Sequence, residues 1–227
     1  MAVYSERVNN VANTSELRDS LESILVGLEK NEQEMVELQR DYSSFNGNEN
    51  RFSCHLENFL NEELRHRHYT PSNLYAENFF QKDFEYYARI CCNCNNDSVV
   101  NKFLTMIGHD RQFPDIIIHG PNNMNHQNCF IEVKFENNPE VWADFTKLTN
   151  FRNACEYLKK NVSDNINPVF FMHIMLFLGR DLKDKIIKAR NDNKELLRKS
   201  NPDIICIYKE GNGFRCVTLG ELLIEIA

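Results

Sequence analysis

Two short stretches decide the fold: Phe113-Pro114-Asp115-Ile116-Ile117-Ile118-His119 and Cys129-Phe130-Ile131-Glu132-Val133-Lys134-Phe135. Both are rich in β-branched and aromatic residues, and the polar loop Gly120–Asn128 separates them. Each is expected to be a strand, and the two are close enough in sequence to pair as a hairpin. Side chains two apart in a strand face the same way, so Glu132 and Lys134 project together while Ile131, Val133 and Phe135 form the core-facing set. Charges alternating with apolar residues are expensive to bury unless they are paired or bound to a metal. If the neighbouring strand brings Asp115 alongside, two carboxylates and one ammonium converge.

Working outward, Val141–Asn161 is expected to be a helix with Phe145, Leu148, Phe151 and Leu158 on one face. Pro168–Leu178 is a further strand and Asp181–Ser200 a strongly charged helix. Asp203–Tyr208, the turn Glu210–Gly213 and Phe214–Val217 make a hairpin. Thr218–Ile226 closes the chain as a short helix with Thr218 as cap and Glu221 three residues on. Upstream, Phe52–His68 is a helix with Phe52, Leu56, Phe59, Leu60 and Leu64 as its apolar stripe. Phe79–Cys92 suggests a strand ending in Ala88–Cys92, and Val99–Ile107 suits either a short helix or a strand. The fold class is α/β: a mixed central sheet flanked by helices.

Residues 15–42 precede this as one long amphipathic helix. Leu17, Leu21, Ile24, Leu28, Asn31, Met35, Leu38 and Tyr42 alternate at spacings of four and three, a heptad seam with one polar member. Two readings follow: a coiled coil that makes a homodimer or recruits a partner protein, or a helix folded back on its own domain. The division is therefore 1–45, an acidic coiled-coil-like helix, and 51–227, the main domain, with the linker-like Ser43–Asn50 between them.

The chain has 227 residues, 42% hydrophobic and 26% charged, enough for one domain plus an appendage. Eight glycines and six prolines exclude collagen-like and low-complexity classes. The longest apolar run, Pro168–Gly179, is interrupted by His173. It falls short of the about 20 residues a membrane-spanning helix needs. Met1–Asn10 lacks a basic stretch leading into an apolar block, so a cytoplasmic protein with reduced thiols at its eight cysteines is expected. The net charge is −7, but residues 1–50 hold ten acidic and four basic side chains, leaving the rest close to neutral. A tight non-specific coat on nucleic acid needs clustered Lys and Arg, which the chain as a whole lacks. Residues 180–199, with eight basic and four acidic side chains, are the best phosphate-contacting face, with a solvated charged helix as the alternative.

Two acidic side chains with free oxygens suit Mg²⁺, which favours carboxylate and water ligands, and Mn²⁺ substitutes readily. Beside a phosphodiester such an ion stabilises developing charge and lowers the pKa of its water, while a nearby lysine steadies the attacking water or the transition state. Pro114, Asp115 and, seventeen residues on from the aspartate, Glu132-Val133-Lys134 resemble the signature of the PD-(D/E)xK nuclease superfamily, the restriction-endonuclease-like fold. The family's order of helix, three strands, helix, strand is similar to that of residues 51–178. The resemblance implies DNA as the more favoured nucleic acid, Asp115 and Glu132 as metal ligands with help from the Val133 carbonyl, and Lys134 as the residue that positions water. It further implies a phosphate-contacting role for Lys147, one turn into the following helix, and a metal-supporting glutamate in the first core helix. Glu57 is favoured for that place and Glu63 is second.

Other features have bland readings beside the functional one. Cys91-Cys92-Asn93-Cys94 contains a C-x-x-C but no second pair to complete a zinc site. Arg65-His66-Arg67-His68 suits a helix C-terminus or a phosphate. Pro202-Asp203 imitates the Pro114-Asp115 pair, but no Glu-x-Lys strand follows it, so Asp203 is a turn residue. A second class of function stays open: a non-catalytic nuclease-like binding or assembly module recruiting partners through the N-terminal helix.

Overall fold

The computed structural model describes residues 15–38, 49–67, 75–77, 84–85, 88–89, 93–108, 114–119, 128–135, 141–162, 171–179, 181–192 and 199–226. Two helices open it, α1 (Ser15–Glu37) and α2 (Glu49–Arg67), followed by strand β1 (Tyr75–Glu77) and helix α3 (Asp97–Ile107). Then come β2 (Ile116–His119), β3 (Asn128–Phe135), α4 (Val141–Asn161), β4 (Phe171–Leu178) and α5 (Leu182–Asp192). β5 (Ile205–Glu210), β6 (Gly213–Thr218) and α6 (Leu219–Glu225) complete the order.

The strands form one six-stranded sheet in sequence order. β1 and β3 each run antiparallel to β2; β4 is parallel to β3 and β5 parallel to β4; β6 returns antiparallel to β5. The parallel steps need crossovers, which α4 and α5 supply on one face of the sheet. Alternation along each strand sorts the side chains between two layers. Ile116, Ile118, Ile131, Val133, Ile174, Leu176 and Ile207 meet α1 and α2 on one face. Ile117, Phe130, Met175, Phe177 and Tyr208 meet α3, α4, α5 and α6 on the other. The chain is thus α/β with a mixed sheet covered on both sides.

Local chemistry explains most boundaries. The segment with two possible readings, Val99–Ile107, is helical because Asn96 caps it, its side chain accepting from the N–H groups of Ser98 (3.0 Å) and Val99 (3.4 Å). Val99, Val100, Phe103 and Ile107 then fall on one buried stripe. Gly211, at φ +63°, makes the tight β5–β6 turn that a residue with a Cβ resists. Thr218 and Glu221 form a reciprocal capping box on α6. The strand expected over Phe79–Cys92 is not seen where the chain is described: residues 84–85 and 88–89 are helical, with Glu85 and Arg89 paired one turn apart at 2.8 Å. The rest of that segment, Cys91 and Cys92 included, lies outside the described residues. The charged helix after Asp181 runs to Asp192, and residues 193–198 likewise lie outside.

The heptad seam of α1 is occupied by the chain itself. Leu21, Ile24, Leu28 and Met35 share one hydrophobic cluster with Phe52, Leu56, Leu60 and Leu64 of α2 and with the sheet. Gly27 lets the helices approach, since a Cβ there would stand 3.1 Å from Leu60. Asn31 sits in the seam fully buried, and Lys30 forms an ion pair with Glu63 across the two helices. Of the other seam positions Leu38 is half exposed, while the Leu17 side chain and Tyr42 lie outside the described residues. From Leu21 on, α1 is therefore part of the α2 layer and shares its core.

Candidate functional site

Proline decides where the β2–β3 ladder ends. The register sets Ile116 opposite Ile131, so Asp115 and Glu132 are the next cross-strand position and Pro114 and Val133 the one after. Pro114 has no N–H with which to continue the ladder. The N–H of Val133 is taken up by the side chain of Asp115 instead, whose Oδ2 accepts it at 2.7 Å. N–H and C=O of one strand residue point to the same side, so the Val133 carbonyl is directed toward the same edge. The predicted hairpin thus brings Asp115 next to Glu132, and the two strands part at that point.

Glu132 and Lys134 project on the α4 face, with Phe130 below them. Glu132 is 1% exposed. Its Oε1 receives the Lys147 ammonium at 2.6 Å, with the Lys134 ammonium 3.8 Å away. Its Oε2 has no hydrogen-bond partner among the described residues. Burial pushes the Glu132 carboxyl well above the ordinary 4.5; the negative charges of Asp115 and Asp144 push the same way, and Lys147 opposes them.

Asp144 was not among the residues expected from sequence, and it completes the group. It lies in the first turn of α4, 7% exposed, with Lys134 Nζ 3.5 Å from Oδ2 and Lys147 Nζ 3.8 Å from Oδ1. Burial raises its carboxyl above 3.8 against the pull of both lysines. A signal for it existed. Val141, Phe145 and Leu148 are buried, and position 144 falls on that same helical stripe, so a carboxylate there had to be buried too. Among the described residues, three carboxylates and two ammonium groups therefore meet where β2, β3 and α4 come together.

The other expected residues lie elsewhere. Glu57 stands partly exposed on α2, which covers the opposite face of the sheet. Glu63 is buried, but Lys30 of α1 holds it. Asp203 turns the chain into β5, as its N–H bonds Asn201 Oδ1 at 2.9 Å and its carboxylate takes Arg152 at 2.8 Å. His173, in β4, stacks on Phe130 with ring centroids 5.3 Å apart; burial lowers its pKa to about 3, so it is neutral. Cys94 is buried on the α3 side, and Cys54, Cys94, Cys129, Cys155, Cys206 and Cys216 are free thiols. Trp142 packs on Phe145, centroids 5.6 Å apart. Among the described residues no group of three His, Cys, Asp or Glu side chains is arranged to enclose a metal ion, and no helix is long and apolar enough to cross a membrane. Comparison of the chain with protein-family models, with curated proteins and with solved structures finds no match.

Proposed function

We propose that this chain is a metal-dependent nuclease of the PD-(D/E)xK, restriction-endonuclease-like type that hydrolyses phosphodiester bonds of DNA. The observation that carries the reading is the juxtaposition of Asp115 and Glu132 across two strands, with Lys134 on the same face as Glu132. The order of α2, three antiparallel strands, α4 and a parallel strand supports it, with α3 as an insertion between β1 and β2.

The residues present fit a hard divalent ion. Mg²⁺ keeps several waters and needs only one or two carboxylates from the protein, so Asp115, Glu132 and the Val133 carbonyl suffice without a third acid. The buried Glu132 Oε2, without a hydrogen-bond partner among the described residues, is an oxygen that a cation would satisfy. When bound, such an ion supplies charge stabilisation at the phosphate and a more acidic water. The chain's own groups do the positioning. Asp115 is held by the Val133 N–H, which limits its rotamers. Lys134, anchored between Glu132 and Asp144, presents an ammonium to the attacking water and to charge developing on the phosphate. Lys147 gives a second ammonium for a phosphate oxygen.

A duplex approaching α5 meets Lys183 paired with Glu210 and Glu225, and Lys185 paired with Asp181. Exposed pairs of this kind contribute about 0–1 kcal/mol each, so phosphates can displace them at little cost. The assembly-module alternative requires a free seam on α1, whereas Leu21, Ile24 and Leu28 are buried against α2.

The test is cleavage of DNA by the full chain with Mg²⁺ or Mn²⁺. Asp115→Ala and Lys134→Ala are expected to lower the rate by at least about 100-fold, the usual scale for such groups. Equal rates in wild type and both variants would overturn the assignment.

A further inference from the structure

We infer that Lys147 is a resident substitute for the divalent cation, and that Asp144 is the seat its ammonium takes when the cation binds Glu132. The inference rests on the reading that Asp115 and Glu132 hold the ion, and goes on to assign the coupling between that ion and α4.

Lys147 Nζ lies 2.6 Å from Glu132 Oε1 and 3.8 Å from Asp144 Oδ1. The two α4 residues are three apart, hence on one face of the helix and one turn from each other. A small rotation of the lysine side chain exchanges one carboxylate for the other without moving the backbone. Asp144 is prepared for the exchange: it is 7% exposed, and its Oδ2 has no hydrogen-bond partner among the described residues. The nearest ammonium to that oxygen, on Lys134, is 3.5 Å away, a charge contact too long for a good hydrogen bond. Glu132 at 1% exposure likewise keeps Oε2 without a partner. One buried carboxylate cannot hold an ammonium at 2.6 Å and a divalent ion together without strong repulsion between the two cations. Asp144 is thus a positioning residue: it acts through Lys147 and need not touch the ion.

Direct Mn²⁺ binding to the full chain, measured by calorimetry and by the electron-spin signal of free Mn²⁺ without nucleic acid, tests this. Lys147→Met should bind Mn²⁺ about tenfold more tightly than wild type, and Asp144→Asn about tenfold more weakly, each about 1.4 kcal/mol. Lys147→Arg, which keeps the charge, should stay close to wild type. In the double variant the Asp144→Asn effect should vanish, because the lysine it serves is gone. Opposite signs from two neutralising changes are not what general loosening of the site produces. Weaker or unchanged binding by Lys147→Met, or an Asp144→Asn effect that persists without Lys147, overturns the inference. If Asp144→Asn fails to fold, the Lys147→Met and Lys147→Arg pair decides alone. Loss of binding in Asp115→Ala alongside unchanged Lys147→Met would sink the exchange but leave the nuclease reading. Wild-type binding no better than that of Asp115→Ala would sink both.

Discussion

The two faces of the sheet are built on different principles. On the face covered by α1 and α2 the strands offer aliphatic side chains to Leu21, Ile24, Leu25, Leu28, Leu56 and Leu60, and apolar burial is the main term that holds the layer. On the face covered by α4, the same β3 strand offers Phe130 and then Glu132 and Lys134, and the helix answers with Asp144 and Lys147. Every ion in that group must be compensated by its neighbours, because water is largely excluded. One strand thus carries an aliphatic face and a charged face, separated by the pleat. The contrast sets a face held chiefly by apolar burial against one that must balance buried charge.

The largest effect expected from breaking this contrast comes from the aliphatic side. Deleting residues 1–45 uncovers α2 and removes Leu21, Ile24, Leu25 and Leu28, all at most 1% exposed. At about 1.5–3 kcal/mol each, their burial is comparable to the about 5–15 kcal/mol that separates a whole folded domain from its unfolded state. The truncated chain should give no cooperative melt by circular dichroism. Leu60→Ala, smaller in scale, should cost about 2–5 kcal/mol in a urea titration.

The charged side should respond with the opposite sign. Among the described residues three carboxylates meet two ammonium groups, and burial disfavours the charged form of Glu132, so Glu132→Gln removes a charge that is costly to keep there. It should abolish cleavage and yet raise the melting temperature at neutral pH by about 2–4 °C, the scale of about 1 kcal/mol for a chain this long. The pH dependence sharpens this. A carboxyl raised above 4.5 in the native state binds its proton more tightly there than in the unfolded chain. Stability therefore falls as pH rises from 4.5 through the native value, and the penalty is complete above it. The advantage of Glu132→Gln should shrink toward zero as pH is lowered to about 4.5 and below.

His173 gives the reverse slope on the same face. Its pKa drops from 6.5 to about 3 on folding, so the unfolded chain binds the proton first. Stability should decline as pH falls from 6.5 toward 3, and His173→Leu should remove that part of the decline in a series of melts. The smallest effect belongs to a helix end: Asn96→Ala, which strips the cap from α3, should cost about 1 kcal/mol and leave metal-dependent cleavage unchanged.

Much of the site was legible because strand and helix periods are local. The alternation Ile131-Glu132-Val133-Lys134 specified which side chains travel together, and the short loop between the two strands placed Asp115 within reach of them. Asp144 was legible as well, from its place on the stripe of Val141, Phe145 and Leu148. Its strand partner was not, since nothing in α4 says that Lys134 will face it. Glu57 and Glu63 show the same limit from the other side. Either suits a helix facing the sheet, but Glu63 is held by Lys30, 33 positions earlier in the chain.

The amino-acid sequence by itself determined the strands around Asp115 and Glu132, the helix that follows, the capped terminal helix and the face on which each side chain lies. These depend on periodicity, capping and backbone chemistry within a few residues of each position. Only the tertiary structure decided that the α1 seam is covered by α2 and that Lys147 sits on Glu132. Burial and charge compensation depend on which surfaces meet, and surfaces far apart in the chain become neighbours only once the layers close.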